Sequence, residues 1–379
     1  MASTAPAIAE SEIPDPPSVL SKKIATLTTL IRKSKHLIVF TGAGISTSAG
    51  IADFRGPTGV WTLRAQGRDD AIRSVNTLQA IPTPAHMALV TLQNAGIMKH
   101  LVSQNCDGLH RRSGINPETI SELHGNSNRE CCGKCNKEYI RDFRAVAAYE
   151  RTVHDHRTGR KCAVAACGGN LYDTIVNFGE NLPLIPIEDA RMHAQKADLC
   201  LVLGSSLTVS PANEIPETVG ERKGAKTVIV NLQSTPVDGV AEFRIAAKAD
   251  EVMRRVMEGL GLEIPPFVLR RRLVVEVNAK GVTLRGVDVD GTPVTFIKSV
   301  RMPGNRRVAS KEPFTIGWRG ELEVGKEVEV EMEFMGHYGE PNLTIKHVYG
   351  GEEGGKLYHL SYSPTSREWV VEVADGNAV

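Results

Sequence analysis

Four short apolar runs, each stopping at a polar or glycine-rich stretch, constrain this chain more than any other feature. They are "HLIVF" before "TGAGIS", "HLVS" before "QNCDG", "DLCLVLG" before "SSL" and "TVIVN" before "LQ". Continuous Val/Leu/Ile runs of this length suit strands buried on both faces of a parallel sheet. Helix-like segments lie between them. In "PTPAHMALVTLQNAG", Ala85, Ala88, Leu89 and Leu92 recur at helical spacing, and Gly96 stands where a C-terminal cap belongs; "IEDARMHAQKAD" has the same character. The alternation predicts a doubly wound α/β fold with a Rossmann-like parallel sheet, in which ligands bind beyond the carboxyl ends of the strands. All four motif stretches are then expected along one edge.

After "LGLEIPP" the texture changes. Charged and apolar residues alternate, and in "EVEVEMEF" Glu327, Glu329, Glu331 and Glu333 face one way while Val328, Val330, Met332 and Phe334 face the other. That is the pattern of a half-buried antiparallel strand. A chain of 379 residues is long for one core. We therefore expect a disordered tail over residues 1–19, an α/β domain over 20–266 with an inserted cysteine-bearing module at about 125–172, and an all-β, sandwich-like domain over 267–379. Against 45 Lys+Arg stand 44 Asp+Glu, a net charge of +1, so no global attraction to nucleic acid or an anionic membrane is expected. No apolar run approaches membrane-spanning length.

The first loop, Gly42-Ala43-Gly44, has Thr47 where a dehydrogenase fingerprint needs its third glycine, and no acidic residue ends a second strand about 20 residues later. A plain tight turn explains such glycines as readily as a nucleotide site does. What adds weight is "ADFRG", whose Asp53, Phe54 and Arg55 lie in a loop able to close over a cofactor. "SQNCDGLH" brings Gln104, Asn105 and Asp107 to a strand end, where an Asx-type turn is the plain alternative. His124, in "ISELHGN", has the unperturbed pKa of a general base at neutral pH, although a lone histidine is more often structural. Cys132-x2-Cys135 and Cys162-x4-Cys167 supply four thiolates, enough to close a structural tetrahedral zinc site. Cys131 could compete with Cys132, and His154 or His156 could replace a thiol. Cys106 and Cys200, in or beside apolar runs, are expected to be small core hydrophobes.

Together these stretches resemble the sirtuins, the NAD-dependent protein deacylases, over roughly residues 20 to 262. "GAGIST" with "DFRGP.GVW", "QNCDGLH", "LHGN", the cysteine pairs, and "GSSL" followed by "VNLQ" occur in the family's order. Within it, "GVWT" after "DFRGP" and "HRTGRKC" with "LYDTIVNFGE" look like the nuclear class IV group that includes human sirtuins six and seven, nearer to seven. The resemblance implies NAD as co-substrate, one structural zinc per chain, and acylated lysine in proteins, histones among them, as substrate. It implies nuclear location, with the cytoplasm left open. Gly42, Ala43, Gly44, Thr47, Asp53, Phe54, Arg55 and Trp61 would hold NAD from the first loop, and Gln104 with Asn105 and Asp107 would line the nicotinamide and ribose pocket. Gly204, Ser205 and Ser206 would take phosphate and ribose; Asn231, Leu232, Gln233 and Ala249 would take the adenosine end. Val176, Phe178, Gly179 and Glu180 would pair with the substrate peptide as an added strand. The acyl oxygen would attack the ribose carbon as nicotinamide leaves, and His124, with Asn105 and Asp107 in the catalytic set, would take a proton from a ribose hydroxyl.

Three departures stand out: Ala52 replaces the family's usual proline, Cys106 replaces an aliphatic residue beside Asn105, and the β domain inherits nothing from the resemblance. Two rival readings are transfer of ADP-ribose to protein through the same pocket, and a chromatin scaffold with weak catalytic activity. Neither the acyl chain, the protein substrate nor the oligomeric state is legible in the sequence.

Overall fold

The computed structural model describes residues 11–147, 154–318, 320–351 and 355–377. The chain divides into two compact units. One comprises residues 1–127, 152–154 and 174–266; the other comprises 128–151, 155–173 and 267–379.

The four apolar runs form the centre of the first unit's six-stranded parallel sheet. Its spatial order is Phe243–Ile245, Lys226–Val230, Leu199–Leu203, Leu37–Thr41, Met98–Ser103 and Ile120–Glu122. Numbered along the chain and read from the Ile120–Glu122 edge this is three-two-one-four-five-six, the order of a dinucleotide-binding doubly wound sheet, and it reverses between Leu37–Thr41 and Leu199–Leu203. Both faces are covered, which is why the runs are uninterrupted. Leu37, Val39, Leu201 and Val228 pack with the helices Pro17–Lys33, Pro84–Asn94 and Ala249–Leu260. Ile38, Phe40, Val202 and Ile229 pack on the other side with Leu184–Lys196 and Glu214–Glu221. The expected helix over "PTPAH" starts at a capping box between Thr83 and His86 and ends ahead of Gly96, whose φ is +66°.

The expected tail is shorter than its composition suggested. Pro17 opens a helix, and the Asp15 amide donates to the Ala246 carbonyl at 2.8 Å; residues 1–10 lie outside the described residues.

The second unit holds the cysteine module and the β domain. The domain is a sandwich of two antiparallel sheets. One orders Phe314–Gly317, Gly281–Val287, Leu269–Asn278, Gly355–Ser363 and Glu368–Asn377; the other orders Val308–Ala309, Ile297–Arg301, Glu327–Phe334 and Leu343–Val348. Leu273, Val275 and Leu360 from the first meet Val328, Val330, Met332 and Phe334 from the second in one core, as the alternation in "EVEVEMEF" requires. The module's sheet is built from Arg129–Cys132, Glu138–Arg141, Arg157–Lys161 and Asn170–Asp173. Its fifth strand, Val294–Thr295, comes from the β region and pairs parallel with Glu138–Arg141. Among the described residues no helix is long and apolar enough to cross a membrane.

Candidate active site

The first and third motif loops meet where the sheet order reverses, and their glycines are demanded by that meeting. A Cβ at Gly42 would lie 2.7 Å from the Gly204 carbonyl oxygen, and one at Gly44 would lie 2.7 Å from the Gly204 Cα. The backbone amide of Gly44 donates to the Gly204 carbonyl at 2.8 Å. The glycines thus bring two backbones into contact. Their adjacency builds the rim of a crevice at the strand ends.

The second loop fastens this rim. The Asn105 side-chain amide donates to the Gly42 carbonyl at 3.0 Å, and the Ser205 hydroxyl donates to Gln104 Oε1 at 2.7 Å. Asp107 accepts from the Ser46 hydroxyl at 2.7 Å and from the Leu109 amide at 2.9 Å, so both carboxylate oxygens are engaged. The Asx-type turn and the functional placement therefore coexist in one residue. Behind Asp107, His110 bonds Thr41 Oγ1 through Nε2 at 2.8 Å; burial holds its pKa down, against the pull of Asp107.

His124 stands at the end of this wall. Its Nδ1 lies 2.9 Å from the Gln104 carbonyl. A carbonyl only accepts, so Nδ1 carries the proton and Nε2 is left as the basic nitrogen. Burial lowers the pKa below its ordinary 6.5, with the Gln104 carbonyl opposing. The ring is thus neutral at pH 7, the state a general base needs. The next residue explains the "LHG" sequence: Gly125 has φ +77°, and a Cβ there would lie 1.7 Å from the Thr174 carbonyl oxygen. That approach lets the Val176 amide donate to the His124 carbonyl at 3.1 Å. The expected substrate segment therefore starts beside the expected base.

Aromatic contacts continue from there. Phe178, 52% exposed, packs 5.3 Å from Trp61, which packs 4.8 Å from Phe54 and lies 4.5 Å beneath the Arg55 guanidinium. Asp53 is fenced by Gly56 and Gly59, where a Cβ would collide with its carboxylate, and burial raises its pKa. Glu180 bonds the Asn177 amide at 2.7 Å and His154 at 2.8 Å, so its carboxylate shapes this loop. Ala52 departs from proline with a visible consequence: its amide donates to Ser74 Oγ at 3.3 Å, a bond that proline lacks the N–H to make.

The adenosine-side candidates lie in the loop after Lys226–Val230 and at the start of Ala249–Leu260. Asn231 Nδ2 donates to the Gln233 carbonyl at 3.0 Å, and Ala249 opens its helix. Two residues passed over in the sequence organise this end. Arg244 donates to the Asn231 and Leu232 carbonyls at 3.2 and 3.4 Å, and Asp250 accepts from the Ala85 amide at 2.8 Å and from Ser48 Oγ at 2.5 Å. Neither belongs to a motif, and only the tertiary pairing exposes them.

In the second unit, the sulfurs of Cys132, Cys135, Cys162 and Cys167 lie within 4.8 Å of one another, and the Cys132–Cys167 and Cys135–Cys162 pairs are 3.6 Å apart. Zinc–sulfur bonds of about 2.3 Å at tetrahedral angles place sulfurs about 3.8 Å apart, so this donor set fits one zinc ion. The alternatives fall away: the Cys131 sulfur turns to the Cys132 carbonyl, His154 bonds Glu180, and His156 bonds Asp173. Backbone amides, that of Cys135 first, hold the Cys132 thiol down to about 6, favouring the thiolate a metal binds. Cys200 is the core hydrophobe expected. Cys106 is not: it is half-buried, and its thiol donates to the His124 carbonyl at 3.1 Å.

A Rossmann-like sheet with motif loops at its reversal, a neutral histidine beside them and a four-cysteine module fitted to one zinc ion define a doubly wound domain joined to a metal-binding module. The Sir2 family model matches residues 68–211. Among relatives, NAD-dependent protein deacetylase SRT1 of Arabidopsis thaliana is 44% identical over 320 residues, covering 80% of this chain and 66% of that protein. Sirtuin-7 of Homo sapiens is 45% identical, covering 68% and 65%. Sirt6 of Drosophila melanogaster is 38% identical, covering 67% of this chain and 80% of its own length. A solved structure of a Sir2 histidine-to-alanine variant with deacetylated p53 peptide and 3'-O-acetyl ADP-ribose superposes at TM-score 0.51 and 34% identity, covering 63% of this chain and 99% of that one. The chain belongs to the Sir2 family. It spans about two thirds of the length of SRT1 and human sirtuin-7. The SRT1 match covers a share that residues 1–266 cannot supply alone, so it reaches into the β region.

Proposed function

We propose that this protein is an NAD-dependent protein lysine deacylase that passes an acyl group from lysine to ADP-ribose with release of nicotinamide. The observation that carries the reading is His124, a half-buried, neutral imidazole whose Nδ1 is committed to the Gln104 carbonyl and whose Nε2 is the available base. NAD, when bound, supplies the electrophilic ribose carbon and the nicotinamide leaving group. The chain supplies the rest. Asn105 and Asp107 fix the shape of the nicotinamide pocket through Gly42 and Ser46. Ser205 and Gln104 hold the phosphate and ribose side, and the pairing of Val176 with His124 offers an extended backbone edge for the peptide. His124 Nε2 accepts the ribose proton, and holding both reactants in one crevice provides the orientation term.

Histones and other nuclear proteins are the substrates we favour, and the nucleus the compartment, because the named relatives include sirtuin-7 and Sirt6. The solved Sir2 complexes bind acetylated or propionylated peptide. The residual-scaffold reading loses ground because the base, its tautomer and the engaged carboxylate of Asp107 are intact. Mass spectrometry of an acyl-peptide panel incubated with the protein and NAD tests the proposal. Release of free lysine peptide with stoichiometric O-acyl-ADP-ribose is expected; ADP-ribosylated protein without loss of acyl groups would replace it with the transferase reading.

A further inference from the structure

The residues expected at the adenosine end share one stretch of backbone. Arg244 through Ala246 ends the outermost parallel strand, and the Asn231 amide donates to the Ile245 carbonyl at 3.1 Å. The Arg244 side chain ties down the Asn231 and Leu232 carbonyls, and its Nε pairs with Asp238 at 2.9 Å. Three residues beyond Ala246 is Ala249. As an edge strand of three residues, Phe243–Ile245 has a neighbour on one side only, and nothing in the sheet fixes its outer backbone.

That outer backbone is held by the N-terminal segment. The Asp15 amide donates to the Ala246 carbonyl at 2.8 Å, and the Ala246 amide donates back to Asp15 Oδ2 at 2.9 Å. Lys23, one and a half turns into the first helix, pairs with both Asp15 oxygens at 2.9 and 2.8 Å and donates to the Arg244 carbonyl at 2.6 Å. The carboxylate is mostly shielded, at 14% side-chain exposure, and these hydrogen bonds hold its pKa down although burial alone would raise it. Upstream, the carboxyl of Glu12 is raised by burial and by Asp53 of the first loop. None of this segment's residues lies in a motif.

We propose that Asp15, seconded by Lys23, is a positioning residue for the adenosine half of the co-substrate, clamping the Arg244–Ala246 backbone that orients Asn231, Leu232 and Ala249. The inference rests on the NAD-dependent reading above. A clamp at this place acts on one ligand and one half of it. Affinity for NAD and for ADP-ribose should fall, while the chemistry at His124 and the binding of acyl-peptide should not.

The test uses the full chain, with calorimetric binding of NAD and of ADP-ribose beside steady-state deacylation. In Asp15→Ala we expect KM for NAD and the dissociation constant of ADP-ribose to rise about tenfold, the worth of one charge-assisted hydrogen bond, with kcat at saturating NAD and KM for acyl-peptide unchanged. Asp15→Asn, which keeps an acceptor for the Ala246 amide but not the charge facing Lys23, should fall between. If Asp15→Ala does not fold, Lys23→Met carries the same expectation through the Arg244 carbonyl. Unchanged ADP-ribose affinity in the folded variants, or equal losses in kcat and in both KM values, overturns the clamp. Failure of the wild-type protein to bind NAD overturns the deacylase reading instead, so the two failures are distinct.

Discussion

At the scale of single residues, His124 and the glycines show how little freedom the crevice leaves. Replacing His124 by tyrosine removes the base while leaving the Gly125 turn and the Thr174 approach in place. We expect deacylation to be abolished with NAD binding and melting preserved, and full deacylation by that variant would sink the assignment. The base must be neutral to act, and burial lowers its pKa from 6.5, so the acid limb of kcat/KM should have its midpoint below 6.5. A pH–rate profile with a midpoint above that value would contradict the geometry. Other histidines govern stability. His86, His100 and His110 have depressed pKa values because burial disfavours their charged forms, His100 down to about 3. Unfolded, they take up protons below about 6.5; folded, they stay neutral well below it. The stability present above 6.5 is therefore lost as the pH falls toward the folded values, by about 1.4 kcal/mol for each pH unit and histidine. Denaturant melts of the full chain between pH 7 and 4.5 should show a steady fall.

At the scale of elements, the cysteine module is the clearest case of a pattern that specified its own structure, since the four cysteines of the two spaced pairs converge on one site. Gly169 completes it, since a Cβ there would lie 2.7 Å from the Cys132 sulfur. Structural zinc sites contribute folding free energy directly. Cys135→Ser/Cys162→Ser should therefore lose its zinc and fail as a folded module, read by metal analysis and thermal melting together, with one zinc per chain in the unmodified protein. Normal melting of the zinc-free double variant would show that the site is dispensable. The "EVEVEMEF" strand tells the opposite story. Its alternation is correct, yet its glutamates do not form a bare acidic face. Glu331 is held by Arg301 at 2.6 Å, Glu333 by Lys298 at 2.6 Å and Glu327 by Lys346 at 3.1 Å, all cations from neighbouring strands. The face is therefore solvated and charge-paired, the kind of edge that discourages a strand from pairing with other chains. Glu352 and Glu353 of "GEEGG" lie outside the described residues.

At the scale of the whole molecule, the module and the β domain form one compact unit. Arg271 pairs with Asp142 at 2.6 Å with both side chains nearly buried, and Arg141 reaches Thr295 Oγ1 at 2.7 Å while pairing with the fully buried Glu130. Removing one member of a buried pair strands the other. Arg271→Ala should destabilise this unit by about 3 kcal/mol, whereas Arg271→Met/Asp142→Leu should recover most of the loss. Equal melting of the single variant and the parent would mean that the two parts are not coupled there. The sequence by itself determined the parallel sheet, the sandwich and the four cysteines, because burial on one or both faces of a strand and the fixed valence of a metal leave a period or a spacing that neighbours in the chain must obey. Only the tertiary structure decided that Gly42 and Gly44 face Gly204, that Asp15 clamps Ala246, that cations neutralise the glutamate face and that Val294–Thr295 completes the cysteine module's sheet. Those pairings join residues far apart in the chain, and a hydrogen bond or a close backbone approach between them imposes no periodicity on the sequence around either partner.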